Sequence, residues 1–381
     1  MRYVRKKRRL SVAQIAAELN ITEDRLHKFE AGDATPTIKQ YQLLQDIYGV
    51  PDYLLAIEGE PELRAPVVDL RKASATPLRI SPKGWKAYFA KAQLAELIDD
   101  IAQSLQINAE YIRPKGINKK NISLKYKEVS NLIAFDARDD RWVNEPYLAL
   151  RYLRAKIEKF GVYCFFVEAP AGDFRGLYDK LSERTSLILV NKKTFKDKAR
   201  LFTLAHEFAH YLIDVEGVSD PGHVDHEVEL ACNQFASRLL APPDYLEQLV
   251  DQIGEGASAS KIVRRVSQRT LLSQGGAAFR LKEDGYISEG DYKDWFSKNG
   301  LSPGYSGELT SEEQEGVESS GGSYAYNVVT DLGYRSIQIV QRALNQGVLD
   351  DVTVGQLLNA RGSTQEKVFR TVKSRMEGLG L

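Results

Sequence analysis

A histidine pair four residues apart, set in an otherwise apolar stretch, constrains this chain more than any other feature. Residues 202–212 read Phe-Thr-Leu-Ala-His-Glu-Phe-Ala-His-Tyr-Leu. On a helix, positions i and i+4 share a face, so His206 and His210 can point at one ion. The helix itself is apolar enough to be buried. Burying two imidazoles and a carboxylate without a partner is costly, so a bound ion accounts for them better than a plain core does. With five histidines in 381 residues, a chance His-Glu-x-x-His is on the order of one in two hundred. Glu207, next to the first histidine, is placed to take a proton from a water attacking a carbonyl that the metal polarises. Imidazole ligands of this kind suit zinc and leave room for a third ligand and a water.

The third ligand is less direct. One arrangement of such sites turns the chain at a glycine three residues past the second histidine and supplies another histidine three further on. Here those positions hold Ile213 and Glu216. The other arrangement takes a carboxylate from a following helix. Glu229 lies on such a segment, with Asn233 one turn later and Phe235, Leu239 and Leu240 on its buried side. Glu227, Asp225, His226 and His223 are nearby alternatives.

Length predicts two to four folding units. Lys+Arg and Asp+Glu both total 52, so net charge favours neither nucleic acid nor membrane. Two cysteines, Cys164 and Cys232, exclude a disulfide scaffold and suit a reducing cytosol. The basic N-terminus lacks the apolar segment of a signal peptide, and no apolar run reaches the length of a membrane span. A cytoplasmic protein without membrane contact is expected.

Residues 1–64 read as a compact helical unit. Ser11 caps a helix through Val12, Ile15, Ala16 and Leu19; Asn20-Ile21-Thr22 breaks it; Thr22 caps a second helix through Leu26 and Phe29. Two short helices around such a break are the helix-turn-helix signature, which sets the start of its second helix in the DNA major groove. Thr22, Arg25 and Lys28 are the candidate contacts there, and the run from Arg5 to Arg9 is a candidate phosphate grip. Through residue 64 ten basic residues meet ten acidic ones, so any attraction to DNA is local. The same fold can also serve as a protein-docking surface, and it admits a homodimer.

Residues 65–145 read as a linker and helical connector, with a helix from Gly84 to about Gln106. Residues 146–252 turn α/β: a helix over 146–160, strands at Val162–Val167 and Ser186–Val190, the histidine helix to Ile213, and a helix over His226–Leu240 that Pro242-Pro243 stops. Residues 253–302 hold two or three short helices. Residues 303–381 begin with a Gly/Ser/Glu-rich linker and end in helices.

Several segments resemble ImmA/IrrE-type metallopeptidases with an N-terminal XRE-type helix-turn-helix. They are Leu26–Gly32, Pro36-Thr37 and Tyr48–Pro51 in the first unit, Phe202–His210 around the histidines, and Glu229–Ala236 with Leu239–Pro242 beyond. The family usually has Trp at Phe29, Ala at Cys232 and Met at Ala241. The resemblance implies a multidomain α and α+β chain: an all-α helix-turn-helix, a central zincin-like domain and a C-terminal helical region. It implies one Zn2+ per chain held by His206, His210 and Glu229, with Glu207 as general base, and a regulatory endopeptidase that cuts a protein such as a repressor. A DNA operator is the implied partner of the first domain. The competing expectation is a transcriptional regulator or antitoxin-like protein whose zincin domain senses without cutting. Cys232, three residues after Glu229, reads as packing. Tyr324 and Tyr326, after a Gly-Gly-Ser hinge, are candidate oxyanion donors with packing as the commoner role.

Overall fold

The computed structural model describes residues 1–7, 10–50, 55, 67–68, 80–170, 173–193, 197–214, 226–254, 256–299 and 323–381. Arg9, Glu216, His223, Asp225 and the linker at 304–322 lie outside them, as do the side chain of His226 and most of the proline-bearing stretch 61–79.

Four helices open the chain: α1 (Arg2–Lys7), α2 (Val12–Leu19), α3 (Glu23–Ala31) and α4 (Ile38–Tyr48). Each boundary has a local cause. Ser11 and Gln14 form a capping box on α2, Asn20 leaves it in the left-handed conformation (φ 53°), and Thr22 caps α3 by accepting from Arg25 N at 3.2 Å. Ile15, Leu19, Leu26, Phe29 and Leu44 meet in the interior. This unit rests on helix α5 (Pro82–Ser104). Lys86 pairs with Asp46 at 2.6 Å, and Gly49 lies so close to Phe89 that no side chain would fit at position 49.

A four-stranded mixed sheet forms the centre: β1 (Val67–Val68), β2 (Tyr163–Val167), β3 (Gly176–Lys180) and β4 (Ser186–Asn191), in the order β1-β3-β4-β2. β2 runs parallel to β4; β3 runs antiparallel to β4 and to β1. The period-two alternation of side chains gives each face its own core. Cys164, Phe166, Tyr178, Ile188 and Val190 point to one side, Tyr163, Phe165, Leu177, Leu187 and Leu189 to the other. Both faces are apolar, so both must be covered.

Helices α6 (Tyr126–Ile133) and α7 (Asp140–Asn144) lead into α8 (Pro146–Glu158). That helix and α9 (Asp197–Ile213) cover the first face; α10 (His226–Leu240) packs on α9. Helices α11 (Pro243–Ile253), α12 (Ala259–Arg269), α13 (Gln274–Glu283) and α14 (Glu289–Lys298) extend this side of the core. The second face is covered by α5 and by α15 (Tyr324–Asn345), backed by α16 (Asp351–Leu357) and α17 (Ser363–Leu379). The segment expected to be a connector therefore contributes a core helix. Within α5, Asp99 accepts from Tyr163 and Thr185, both at 3.0 Å, and Tyr88 donates to Asp179 at 2.5 Å.

Helix α15 bends at Gly333, whose φ of 78° and ψ of 179° only glycine adopts readily. Buried Glu158 of α8 caps the second half, accepting from Tyr334 N at 2.9 Å and Arg335 N at 2.8 Å. Arg154 pairs with Glu158 at 3.0 Å and also donates to the carbonyls of Cys164 and Thr330. Burial pushes the Glu158 carboxyl up from its ordinary value against the opposing pull of Arg154 and the two amides. One polar knot thus ties the C-terminal helices to α8 and β2.

Candidate metal centre

The helix carrying the histidines is apolar on every side: Leu201, Phe202, Leu204, Ala205, Phe208, Ala209 and Leu212 are all buried. His206, Glu207 and His210 are 0%, 1% and 2% exposed. Helix α10 crosses α9 with Val228, Cys232, Phe235 and Ala236 buried, and this brings Glu229 over the histidine pair. The Nε2 atoms of His206 and His210 are 3.1 Å apart, and each lies 3.3 Å from a different oxygen of Glu229.

These spacings test whether an ion fits. Four ligands held about 2.0–2.1 Å from a tetrahedral zinc are separated along each edge by about 3.3–3.4 Å. The edge between the two imidazoles, 3.1 Å, is close to that figure; the 3.3 Å contacts run to different oxygens of Glu229, and one ligand atom from each residue lies within 4.8 Å of the others. The donor set is also of the right chemistry, two imidazoles and one carboxylate converging at a buried point where a cation would meet all three lone pairs. Burial works against charge on His210, yet Cys232 and Glu229 hold its pKa well above the ordinary imidazole value. Burial likewise opposes ionisation of Glu229, but His210 and His206 hold its carboxyl well below the usual range.

Glu227, an alternative from sequence, faces outward and pairs with Lys119 at 3.1 Å. Cys232 is fully buried beside His210, and burial raises its thiol pKa, which favours the neutral packing group. Tyr324 and Tyr326 are not brought to this centre. The Tyr324 hydroxyl donates to Asn359 O at 2.6 Å, and the Tyr326 ring lies under Arg375 at 4.5 Å, both among the C-terminal helices.

Gly176 escaped the sequence reading. It opens β3 directly against Glu207: a β-carbon there would lie 2.5 Å from Glu207 Oε1 and 2.5 Å from Thr203 Cγ2. A lone glycine at the head of Gly-Leu-Tyr-Asp-Lys is the signal that marks a close approach to a strand.

In the helix-turn-helix, Thr22 at the cap of α3 and Arg25, His27 and Lys28 along it are exposed. Arg25 lies over the Phe29 ring at 5.2 Å, and Lys28 pairs with Asp24 at 2.7 Å. Arg5 faces inward: it is 8% exposed and grips both oxygens of Glu30, at 2.5 and 2.9 Å, while donating to Leu10 O.

Comparison with known proteins agrees with both halves. Residues 1–55 match the family described as helix-turn-helix, and residues 157–282 match the IrrE N-terminal-like domain. A stretch of 123 residues is 28% identical to the radiation response metalloprotease IrrE of Deinococcus deserti, covering 30% of this chain and 41% of that protein. The chain thus spans about two fifths of the length of the curated relative it matches. Among the described residues no helix is long and apolar enough to cross a membrane. The chain is thus similar to helix-turn-helix domains over residues 1–55 and to the IrrE N-terminal-like domain of peptidases over residues 157–282.

Proposed function

We propose that this protein is a DNA-associated regulatory zinc endopeptidase that cuts a repressor or another partner protein. The convergence of His206, His210 and Glu229, with one ligand atom of each within 4.8 Å of the others, carries the reading. These three residues hold one Zn2+ per chain. When bound, the ion supplies Lewis-acid polarisation of a peptide carbonyl and of water.

Glu207 supplies the proton chemistry. Its carboxylate is buried between α9 and the head of β3, where it takes the proton of the attacking water and returns it to the leaving nitrogen. Gly176 lets β3 pass close over that carboxylate, so a peptide extended along β3 would bring its backbone near the base. Thr22, Arg25 and Lys28 on the exposed side of α3 are the proposed DNA contacts, Arg25 being the residue suited to a guanine edge.

Metal content by mass spectrometry and cleavage of a quenched fluorogenic peptide library, on wild type and three variants, test the reading. Wild type should carry one zinc per chain, which His206→Ala and Glu229→Ala lose. Glu207→Gln should keep the zinc and lose cleavage. A Glu207→Gln protein that regulates its genes as wild type does would transfer the function to the helix-turn-helix and leave the zincin domain a sensor.

A further inference from the structure

Four arginines drawn below the surface of this protein each meet a carboxylate. Arg5 reaches Glu30 at 2.5 Å, Arg113 reaches Asp214 at 2.5 Å, Arg280 reaches Asp284 at 2.7 Å and Arg154 reaches Glu158 at 3.0 Å. Two other guanidiniums depart from this pattern, and they stand together. Arg151 on α8 and Arg375 on α17 are both half-buried, and among the described residues neither forms an ion pair. The two helices meet at Thr330 of α15. Its carbonyl accepts from Arg154, one turn along α8 from Arg151, and its hydroxyl lies 3.4 Å from Arg375 Nη1. The Nε of Arg375 is buried without a hydrogen-bond partner. Both guanidiniums lie over tyrosine rings, Arg375 over Tyr326 at 4.5 Å and Arg151 over Tyr147 at 4.9 Å.

The acids nearby are committed elsewhere: Glu158 to Arg154 and two backbone amides, Asp331 to Lys192 at 2.6 Å. Burial, and then the charges of Arg151 and Arg154, lower the pKa of Arg375 to about 10, well below the range ordinary for a guanidinium. A half-buried cation facing a second one costs free energy that a bound anion would recover.

We propose that Arg151 and Arg375 form a binding site for a small phosphorylated molecule, with the half-exposed ring of Tyr326 beside it to receive a planar group such as a nucleotide base. Charge favours phosphate over carboxylate. Two unmatched guanidiniums call for two negative charges, and a phosphate monoester carries about −1.5 to −2 near pH 7 on three acceptor oxygens. Those oxygens also suit the planar fork of arginine. Placement favours a small molecule over a polymer. Arg375 Nε is sealed from solvent while Tyr326 is 48% exposed, so the charged end of a ligand goes inward and its planar end stays at the surface, where an aromatic face can stack it. Bound there, the ligand would bridge α8, which packs on the histidine helix α9, to α17, and so hold the C-terminal helices to the central domain. Arg151, Tyr326 and Arg375 lie outside both stretches matched to known families, and the site stands apart from the peptidase reading.

Isothermal titration calorimetry on the full-length protein at constant ionic strength tests this with three probes: inorganic phosphate, adenosine monophosphate and single-stranded oligothymidylate. Both small probes should bind, the nucleotide more tightly. Arg375→Gln and Arg151→Gln should each weaken both by about tenfold or more, the loss of a charge-assisted contact. Arg375→Lys serves if glutamine there folds poorly, and should weaken binding as well because the fork is gone. Tyr326→Leu should remove the nucleotide's advantage over phosphate. Arg370→Gln, also on α17 but exposed and paired with Glu366 at 2.8 Å, should bind as wild type does. No binding of either small probe, or binding unchanged in Arg375→Gln and Arg375→Lys, overturns the proposal. Arg375-dependent binding of oligothymidylate without binding of the mononucleotide also overturns it, in favour of a nucleic-acid surface.

Discussion

Replacing Gly176 with alanine should disable the site without touching a ligand. The added carbon would stand 2.5 Å from Glu207 Oε1, 2.9 Å from Glu207 Cγ and 2.5 Å from Thr203 Cγ2. The carboxylate tip can swing away, but Thr203 is β-branched and stiff, and it sits on the same buried helix one turn before Glu207. Relief to ordinary contact near 3.5 Å requires β3 and α9 to part by about 1 Å. Overpacking of this kind costs about 1–3 kcal/mol of stability. A shift of about 1 Å at a catalytic group costs about a hundredfold in rate. His206 and His210 lie on the same helix but away from the collision, so zinc content should hold at the wild-type level. Denaturant unfolding, metal analysis and turnover of the quenched library measure the three quantities side by side. A variant within 0.5 kcal/mol of wild-type stability, a limit set below the overpacking range, would refute the steric argument. Full turnover would refute the placement of Glu207 beneath β3.

Gly333→Ala should destabilise the protein by about 3–5 kcal/mol, because its β-carbon meets Glu158 Oε1 at 2.1 Å and breaks a buried ion pair at a backbone angle alanine resists. A midpoint in urea unchanged from wild type contradicts this. Arg5→Ala should cost about 1.5–3 kcal/mol, the worth of hydrogen bonds to a charged group, because it leaves the Glu30 carboxylate to Arg2 at 3.5 Å. It should also leave the salt dependence of DNA binding unaltered; a slope reduced by about 0.9 would return Arg5 to the phosphate backbone. Chelation should lower the melting temperature, since zinc at a hundred times its dissociation constant stabilises by about 2.7 kcal/mol. Identical melting curves with and without EDTA argue against a resident ion.

The candidate site was largely legible because its signals are local. Two histidines at helical spacing and an apolar surround place the helix from Phe202 to Ile213, five residues short of the start of α9 at Asp197, and Pro242-Pro243 fixes the end of α10; Glu229 is one of several acidic or imidazole candidates there until the family resemblance singles it out. β3 was not legible. Gly176, Asp179 and Lys180 are poor strand formers, and the strand exists because Leu177 and Tyr178 are taken up by the two cores on either side. Arg5 looked like a member of a basic run; only the fold brings Glu30, twenty-five residues away, within 2.5 Å of it. The role of α5 was hidden for a similar reason. Its buried Asp99 and Tyr88 find partners on or just before strands, 64 to 91 positions further along.

The knot at Glu158 and Gly333 bears on the order in which a ribosome delivers this protein. Every metal-binding candidate has been synthesised by residue 229, yet one face of the sheet behind them has only α5 over it until α15 emerges nearly a hundred residues later. A nascent chain in that interval lacks the cover that α15 gives β2 and is prone to aggregate or be degraded. The cover of the sheet is thus completed only once α15 has emerged, and chains stopped before it should bind hydrophobic dyes and carry no metal. Normal zinc loading in a chain stopped at residue 322 would show that the metal centre matures without its C-terminal cover.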